Sequence, residues 1–396
     1  MDKALGDLMV IDLTRYISGP YCATILADMG AYVIKVEKPG IGEEMRVGIP
    51  FFNGQALSFP PYNRNKKSLC MDLRNPKAIE ILKKLIVHAD VLIQNYRPGT
   101  IEKMGLSYEV CKELNPRLIM LNISGFGQTG PHKHRAAYDG VIQAESGLTN
   151  SIMQESGGIP VLPAGNPCDV MTALHSAIAV LCALNQRDIT GRGQYVDVDM
   201  MSCITGMFSP QLCYYDKTGK EGLPHAYVPY GNYRTIDGAV HISVKQEQWP
   251  RFRQLLNVPE LQSPKYDDFT GRLAEEAEIN KAIEGWTKQR TSLEIVDMLA
   301  KENIAVGMMK HIDQVAGHEQ LLARDNFVDL EVYGIGKAPY PKIPFKMSGT
   351  KVEYNSPPTV GEHNKEILSR YLNMSAKQVE ELQEQKVLYA TLDPHY

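Results

Sequence analysis

LMVIDLTRYISGPYCATILADMGAYVIKVE, residues 8–37, sets two apolar β-rich runs on either side of a helical one. Leu8 to Thr14 reads as a buried strand, because its apolar residues run on instead of alternating with solvated ones. GPYCATILADMG reads as a helix with Pro20 at its first position and Gly30 at its end. AYVIKVE is a second strand, ending at Glu37. The pattern continues outward: AIEILKKLIVHA as a helix, DVLIQNY as a strand, and LIMLNIS as a strand ending at Ser124. Strand–helix–strand units of this kind predict an α/β fold with a parallel sheet covered by helices. Ligands of such sheets lie beyond the carboxyl ends of the strands. The loops after Thr14, Glu37, Tyr96 and Ser124 are therefore where function should concentrate.

A long helix is expected from about Pro167 to Asn185. After it, GRGQYVDVDM makes a glycine turn into a strand, Tyr195 to Asp199. YYDKTGKEGLPHAYVPYGN, residues 214–232, is rich in Gly, Pro and Tyr and reads as a linker at a domain boundary. Beyond it, NYRTIDGAVHISV reads as a hairpin turning at Asp237-Gly238. Short charged helices follow to about Ala323. Prolines and glycines in VYGIGKAPYPKIPFKMSGT break any helix there, and two helices between Gly361 and Leu388 end the pattern. There is no internal repeat and no low-complexity tract.

The 396 residues are 43% hydrophobic and 22% charged, which is ordinary for a globular protein and enough for two domains or one large discontinuous one. With 42 basic against 46 acidic residues, nothing points to nucleic-acid binding. The N-terminal residues do not read as a signal peptide. No run reaches the roughly 20 apolar residues of a membrane span, so no membrane partner is expected. Seven scattered cysteines without a C-x-x-C pair predict reduced thiols in a cytoplasm. The ten histidines show no metal-ligand spacing, so no metal site is expected.

GFGQTG, residues 125–130, fits the glycine pattern of a dinucleotide site and follows a strand. That site needs a helix to start within the motif, so that the pyrophosphate can rest on its N-terminus. PHKHRAAYDG follows instead, leaving a glycine loop that carries Lys133, His134 and Arg135. RYISGPY is a second candidate for phosphate or thioester binding. Gly19 permits close backbone approach, and the following helix offers free N–H groups. Lys38, Arg97 and Lys103 fall at the same predicted sheet edge, where they could cradle a nucleotide with several phosphates, although each alone is an ordinary surface cation.

GNPCDVMTALHSA, residues 165–177, places Cys, Asp and His around a helix start. Cys168 and His175, seven residues apart, share a face but stand about 10 Å apart along the axis. A nucleophile and its base need hydrogen-bond contact, so this pair does not work. Asn166 suits the N-cap and Pro167 the first helical position, which puts Asp169 in the first turn. An acid there is commonly no more than a complement to the helix dipole. The same position predicts an ionised carboxylate, suited to nucleophilic attack on an acyl group and formation of a mixed anhydride.

The segments from DLTRYISGPYCATILADMGAYVIKVEKPG through YNRNKKSLCMDL, NYRPGTIEKMGLSYE, LIMLNISGFGQTGP, AYDGVIQAESGL, GNPCDVMTALHSAIAVLCAL and TGRGQYVDVDM to VGEHNKEIL resemble, in that order, the family III CoA transferases. This CaiB/BaiF group includes formyl-CoA, carnitine and 2-hydroxyacid CoA transferases. The similarity covers about residues 5 to 370. It implies that Asp169 is the catalytic nucleophile, working through aspartyl-anhydride and aspartyl-CoA intermediates. It also implies CoA contacts at Lys38, Met71, Leu73, Asn95, Tyr96, Arg97 and Lys103, with Tyr138 near the thioester and Ile17 and Ser18 lining the acyl site. No cofactor is permanently bound in this picture; coenzyme A and acyl-CoA are substrates, and a small carboxylic acid is the acceptor. The implied architecture is a doubly wound, Rossmann-like large domain from residues 1–215 and 325–396, plus a smaller α+β domain at 225–324. Two ring-like subunits would interlock as a homodimer, with the active site between the large domain of one and the small domain of the other.

Two departures narrow the resemblance. Formyl-CoA transferases carry glutamine where Ile17 stands, and a glycine-rich lid loop that AYVPYGNYRTIDG does not reproduce. Ile17 thus suggests a more apolar acyl group; a carnitine-like acid or a branched or aromatic 2-hydroxy acid is what the resemblance to the wider family implies. The alternative function is a 2-methylacyl-CoA racemase of the same fold; that relative uses histidine where Tyr138 stands, and tyrosine is a poor base at neutral pH. A non-catalytic CoA-binding protein would show no dependence on Asp169.

Overall fold

The computed structural model describes residues 3–390. Two compact units divide it: Met1–Ser209 with Asp325–Tyr396, and Pro210–Arg324. The first two and last six residues of the expected large domain lie outside the described range.

The first unit is built on β1 (Met9–Asp12), α1 (Ser18–Asp28), β2 (Tyr32–Glu37), β3 (Lys67–Cys70), α2 (Pro76–Ile86), β4 (Val91–Gln94), β5 (Ile119–Ser124), α3 (Asp139–Glu145), α4 (Pro167–Thr190) and β6 (Tyr195–Asp199). The six strands form one sheet in the order β3-β2-β1-β4-β5-β6, and every neighbouring pair is parallel. This is the doubly wound strand order of dinucleotide-binding folds. Alternation along the strands explains the two layers. Met9, Ile11 and Leu13 face a core shared with Ala78, Leu82 and Leu85 of α2. Val10, Val33 and Ile93 face the opposite core, with Ala23 and Leu26 of α1 and Ala173, Ala177 and Val180 of α4. Both faces are covered, so the strands read as continuous apolar runs. Truncating Ile11 to Ala would cost about 2–5 kcal/mol, since nothing can collapse into its place. The strand order reverses between β1 and β4, which opens a crevice beyond their carboxyl ends.

Three local expectations are corrected. Pro20 is the third residue of α1, not the first. The chain turns sharply at Tyr16 (φ 67°), so the helix begins at Ser18, and proline still falls where the N–H has no partner within the helix. α4 runs five residues past Asn185 to Thr190 and is stopped by Gly191 at φ 73°. α4 is also 24 residues long and apolar enough, by length and composition alone, to cross a membrane, contrary to the expectation that no run is. In this fold one of its sides is packed on the sheet, while Leu174, Ile178 and Leu181 are 43–58% exposed.

The second unit carries an antiparallel sheet of β7 (Tyr230–Arg234), β8 (Ala239–Ser243) and β9 (Ala305–Met308), with α5 (Ser292–Lys301) preceding β9. The β7–β8 hairpin is the one expected around Asp237-Gly238. Its core gathers Trp249, Phe252, Ile283, Ile295 and Leu299. The expected linker is ordered at both ends, by a helix at Ser209–Thr218 and by β7.

The chain then forms a two-stranded hairpin, β10 (Phe327–Val332) with β11 (Gly336–Pro341), where the sequence argued against a helix without pointing to strands. Pro339 and Pro341 are tolerated because a two-stranded ribbon leaves each strand an outer edge that needs no ladder donor. Finally α6 (Asn364–Leu372) and α7 (Ala376–Glu384) return Ile367, Leu368 and Val379 to the core under α2.

Candidate active site

The turn after β1 rests on buried charge. Asp12, at 0% exposure, accepts hydrogen bonds from the Thr14 N–H (2.9 Å) and the Lys66 ammonium (2.9 Å). Lys66 also donates to the Pro20 carbonyl (2.8 Å). Lys35 donates to the Thr14 carbonyl and pairs with Glu43 (2.8 Å), whose other oxygen accepts the Tyr16 N–H (2.7 Å). Burial works to raise the Asp12 carboxyl, but Lys35, Lys66 and the Thr14 hydroxyl outweigh it and hold it at about 2. Two buried anions and two buried cations thus clamp the backbone from Thr14 to Pro20. The clamp holds Tyr16 in the left-handed region, a strain of about 1–3 kcal/mol of the kind that gathers at functional sites. Gly19 is required as well: a Cβ there would stand 2.4 Å from the Thr14 side chain.

Asp169 faces this turn from the start of α4. Asn166 holds the N-cap position but sits at φ 52° and makes no side-chain cap. The Asp169 N–H is accepted instead by the Asp139 carboxylate (3.0 Å), from the start of α3. This leaves the Asp169 carboxylate free of capping, and Ser18 offers it a hydroxyl and a backbone N–H. The expected direction of its pKa is reversed. Burial, then the charge of Asp139, raise it to about 6, and the Ser18 hydrogen bonds only partly oppose them. At neutral pH it is still mostly ionised, and poorly solvated. Cys168 lies at 0% exposure in a cluster with Ile142, Met200 and Ile204 and forms no part of the cavity wall. Burial, then Asp139 and Asp169, push its thiol up to about 12. His175 is exposed and bonded to the Met171 carbonyl (2.9 Å).

Two cavities meet at this turn. The smaller, about 360 Å³, is lined by Asp169, Ile17, Ser18, Asn95, Arg97 and Tyr138, among others. The larger, about 820 Å³, is lined by Lys38, Met71, Leu73 and Lys103. Tyr96 and Arg15 belong to both walls, with the Arg15 guanidinium 5.1 Å from the centre of the Tyr96 ring. The residues that the resemblance implied for CoA, the acyl group and catalysis therefore all line one or other of these two adjoining cavities, whereas Cys168 and His175 do not. Their roles differ in detail. The Asn95 amide is turned onto the backbone of Arg15, accepting its N–H (2.8 Å) and donating to its carbonyl (2.7 Å), so it ties the β4 loop to the β1 loop. Met71 is packed into the core beneath the larger cavity. Lys38 and Arg15 converge on one oxygen of Glu44, at 2.8 and 2.9 Å. Tyr138 is 61% exposed and packs edge-on against Tyr16, with ring centres 5.6 Å apart. Burial and a hydrogen bond shared with Tyr138 raise the Tyr16 phenol to about 12.

Sequence reasoning did not single out Arg15, Tyr16, Glu44 or Asp139. Arg15 and Tyr16 were visible inside the quoted turn. Asp139 acts across 30 residues, so no local pattern reveals it. The glycine loop behaves as its context implied: no helix starts until Asp139, and Lys133 and Arg135 reach the smaller cavity. Among the described residues no histidine lines that cavity, and no group of three or more His, Cys, Asp or Glu converges as a metal site would require.

The pattern that defines CoA-transferase family III matches residues 5–364. The chain belongs to that family. It is 33% identical to the succinyl-CoA–L-malate CoA-transferase beta subunit of Chloroflexus aurantiacus, over 97% of this chain and 98% of that one. It is 32% identical to the succinyl-CoA:glutarate CoA-transferase of Mus musculus, over 96% of this chain and 89% of that one. A CAIB/BAIF family protein from Brucella suis superposes with a TM-score of 0.82 at 30% identity, covering 94% of this chain and 100% of that chain. This member of CoA-transferase family III is thus an enzyme of the CoA-transferase class, with CoA thioesters as substrates.

Proposed function

We propose that the enzyme moves CoA from an acyl-CoA to a small carboxylic acid through covalent intermediates on Asp169. The carboxylate attacks the donor thioester carbonyl, the C–S bond breaks, and CoA leaves as the thiolate, giving an aspartyl mixed anhydride. The thiolate attacks the aspartyl carbonyl, which releases the donor acid and leaves an aspartyl-CoA thioester. The acceptor carboxylate attacks that thioester and frees the thiolate again. The thiolate then takes the acceptor acyl group, and Asp169 is restored as a carboxylate with no net proton, water or electron consumed.

The observation that carries this reading is the position of Asp169: a desolvated carboxylate in a small cavity that shares Arg15 and Tyr96 with a larger, cation-edged one. The larger cavity suits the nucleotide end of CoA, with Lys38 and Lys103 toward its phosphates and Leu73 and Met71 behind it. The pantetheine arm passes Tyr96, and the thioester lies among Asp169, Ser18, Ile17, Arg97 and Tyr138. Desolvation makes the Asp169 carboxylate a stronger nucleophile than a solvated one, while its pKa of about 6 keeps it ionised. Two relatives are named for succinyl-CoA, which supports that thioester as the donor here.

The protein is proposed to work as an interlocked homodimer in the cytoplasm, without a membrane or nucleic-acid partner. The apolar outer stripe of α4, Leu174, Ile178 and Leu181 at i, i+4 and i+7, supports a protein partner, because three exposed apolar side chains on one helix face favour burial. Mass spectrometry after incubation with succinyl-CoA tests the chemistry. A hydroxylamine-sensitive adduct on the peptide containing Asp169 is expected, and a CoA adduct on any other residue would overturn the assignment.

A further inference from the structure

The cations around the smaller cavity are not equivalent. Arg15 is committed to Glu44 (2.9 Å). Arg135 is paired with Glu145 (2.7 Å) and stacked over Phe126, with its guanidinium 5.0 Å from the ring centre. Arg97 is exposed, lines the smaller cavity with Asp169, and is the cation that the resemblance assigns to CoA. Lys133 lines the same wall as Asp169, and among the described residues its ammonium makes no hydrogen bond or ion pair. Its loop is nonetheless anchored. The Gln128 N–H donates to Asp197 at the sheet edge (3.1 Å), and the Arg135 N–H closes a turn onto the His132 carbonyl (2.8 Å).

The charge balance of this cavity gives that free cation a purpose. Asp169 and Asp139 both border it, so a substrate bringing a further negative charge would be repelled unless a cation met it there. A reacting monocarboxylic acyl group brings no such charge once it is a thioester, whereas a dicarboxylic one keeps its distal carboxylate. A cavity of about 360 Å³ accepts an acyl group of a few carbons, not a long chain. We propose that Lys133 determines specificity by pairing with the distal carboxylate of a short dicarboxylic acyl group, making dicarboxylates the enzyme's preferred acids. The exposed phenols of Tyr16 and Tyr138 stand at the same wall and add uncharged donors. The inference rests on the transfer reading above, with Asp169 as the reacting centre.

The test compares two identity exchanges: labelled succinate with succinyl-CoA, and labelled butyrate with butyryl-CoA. The pairs have the same carbon count and differ by a carboxylate against a methyl group. The expected result is a preference for the succinyl pair of at least about tenfold in kcat/KM, since a site built for a polar group discriminates strongly against an analogue that lacks it. Lys133→Met should remove most of that preference by lowering kcat/KM for the succinyl pair alone, and Lys133→Arg should restore much of it. The KM for succinyl-CoA and that for butyryl-CoA would rise together in Lys133→Met if the lysine served the CoA phosphates, and that outcome overturns the proposal. Equal use of both pairs by the unmodified enzyme overturns it too. Absence of exchange with either pair, together with absence of an Asp169 adduct, would instead bring down the transfer reading and this inference with it.

Discussion

Among the helices of this protein that carry an acid in the first turn, α5 and α4 use it in opposite ways. At α5 the Thr291 hydroxyl accepts the Glu294 N–H (3.3 Å), and Glu294 reaches back to accept the Thr291 N–H (2.8 Å). The bonds from the Thr291 amide and hydroxyl hold the Glu294 carboxyl below its usual range. At α4 the N-cap residue Asn166 caps nothing, Asp139 supplies the acceptor from outside, and the Asp169 carboxyl lies above its usual range. One acid completes its helix. The other is relieved of that task by a second carboxylate and is left desolvated and available. An acid in a first turn is therefore not informative by itself; what distinguishes the two is which group satisfies the amides.

The largest break in this comparison comes from removing the free acid. Asp169→Ala is expected to lower transfer by at least about a thousandfold, as loss of a covalent nucleophile does, while titration calorimetry still finds CoA bound. Asp169→Asn should expose the stability cost of the site. Its pKa of about 6 in the folded chain exceeds the unfolded 3.8, so the group's contribution to stability is complete below about pH 4 and lost as pH rises through 6. The neutral asparagine escapes that loss. Denaturant titration at pH 7.5 should show it about 1–2 kcal/mol more stable than the parent, with the gap closing by pH 4. Thr291→Ala is the counterpart at the other helix, costing about 1 kcal/mol in the same titration and leaving kcat/KM unchanged. The smallest effect sharpens the comparison. Asp139→Asn keeps an oxygen for the Asp169 N–H but removes the neighbouring charge, so the acid limb of kcat/KM should move down by about half to one pH unit.

Much of this was readable in the chain because both faces of the sheet are buried. Val10, Ile11, Val33, Ile34, Leu92 and Ile93 leave no polar alternation to confuse, and the loops at their carboxyl ends held the site residues. What escaped notice was non-local or masked. Lys35 lies inside AYVIKVE and reads as an interruption, yet it is 1% exposed and serves Asp12, Thr14 and Glu43. Prolines in GKAPYP hid a strand because the sequence cannot say that its neighbour pairs on one side only. The pKa of Asp169 is not set by its own helix start: burial and Asp139 decide the direction of its shift.

The wall shared by the two cavities has a kinetic consequence. A ligand seated by its nucleotide in the larger cavity and cleaved at its thioester in the smaller remains attached on the far side of the broken bond. Under the proposed cycle the departing thiolate is then on a leash. Its local concentration at the aspartyl carbonyl is of order millimolar or more, whatever the free CoA in solution. Each return attack becomes effectively intramolecular, so the activated acyl group is recaptured before water can intercept it. Weakening the nucleotide's grip would then appear less as poor binding than as wasted thioester: more hydrolysis for every successful transfer.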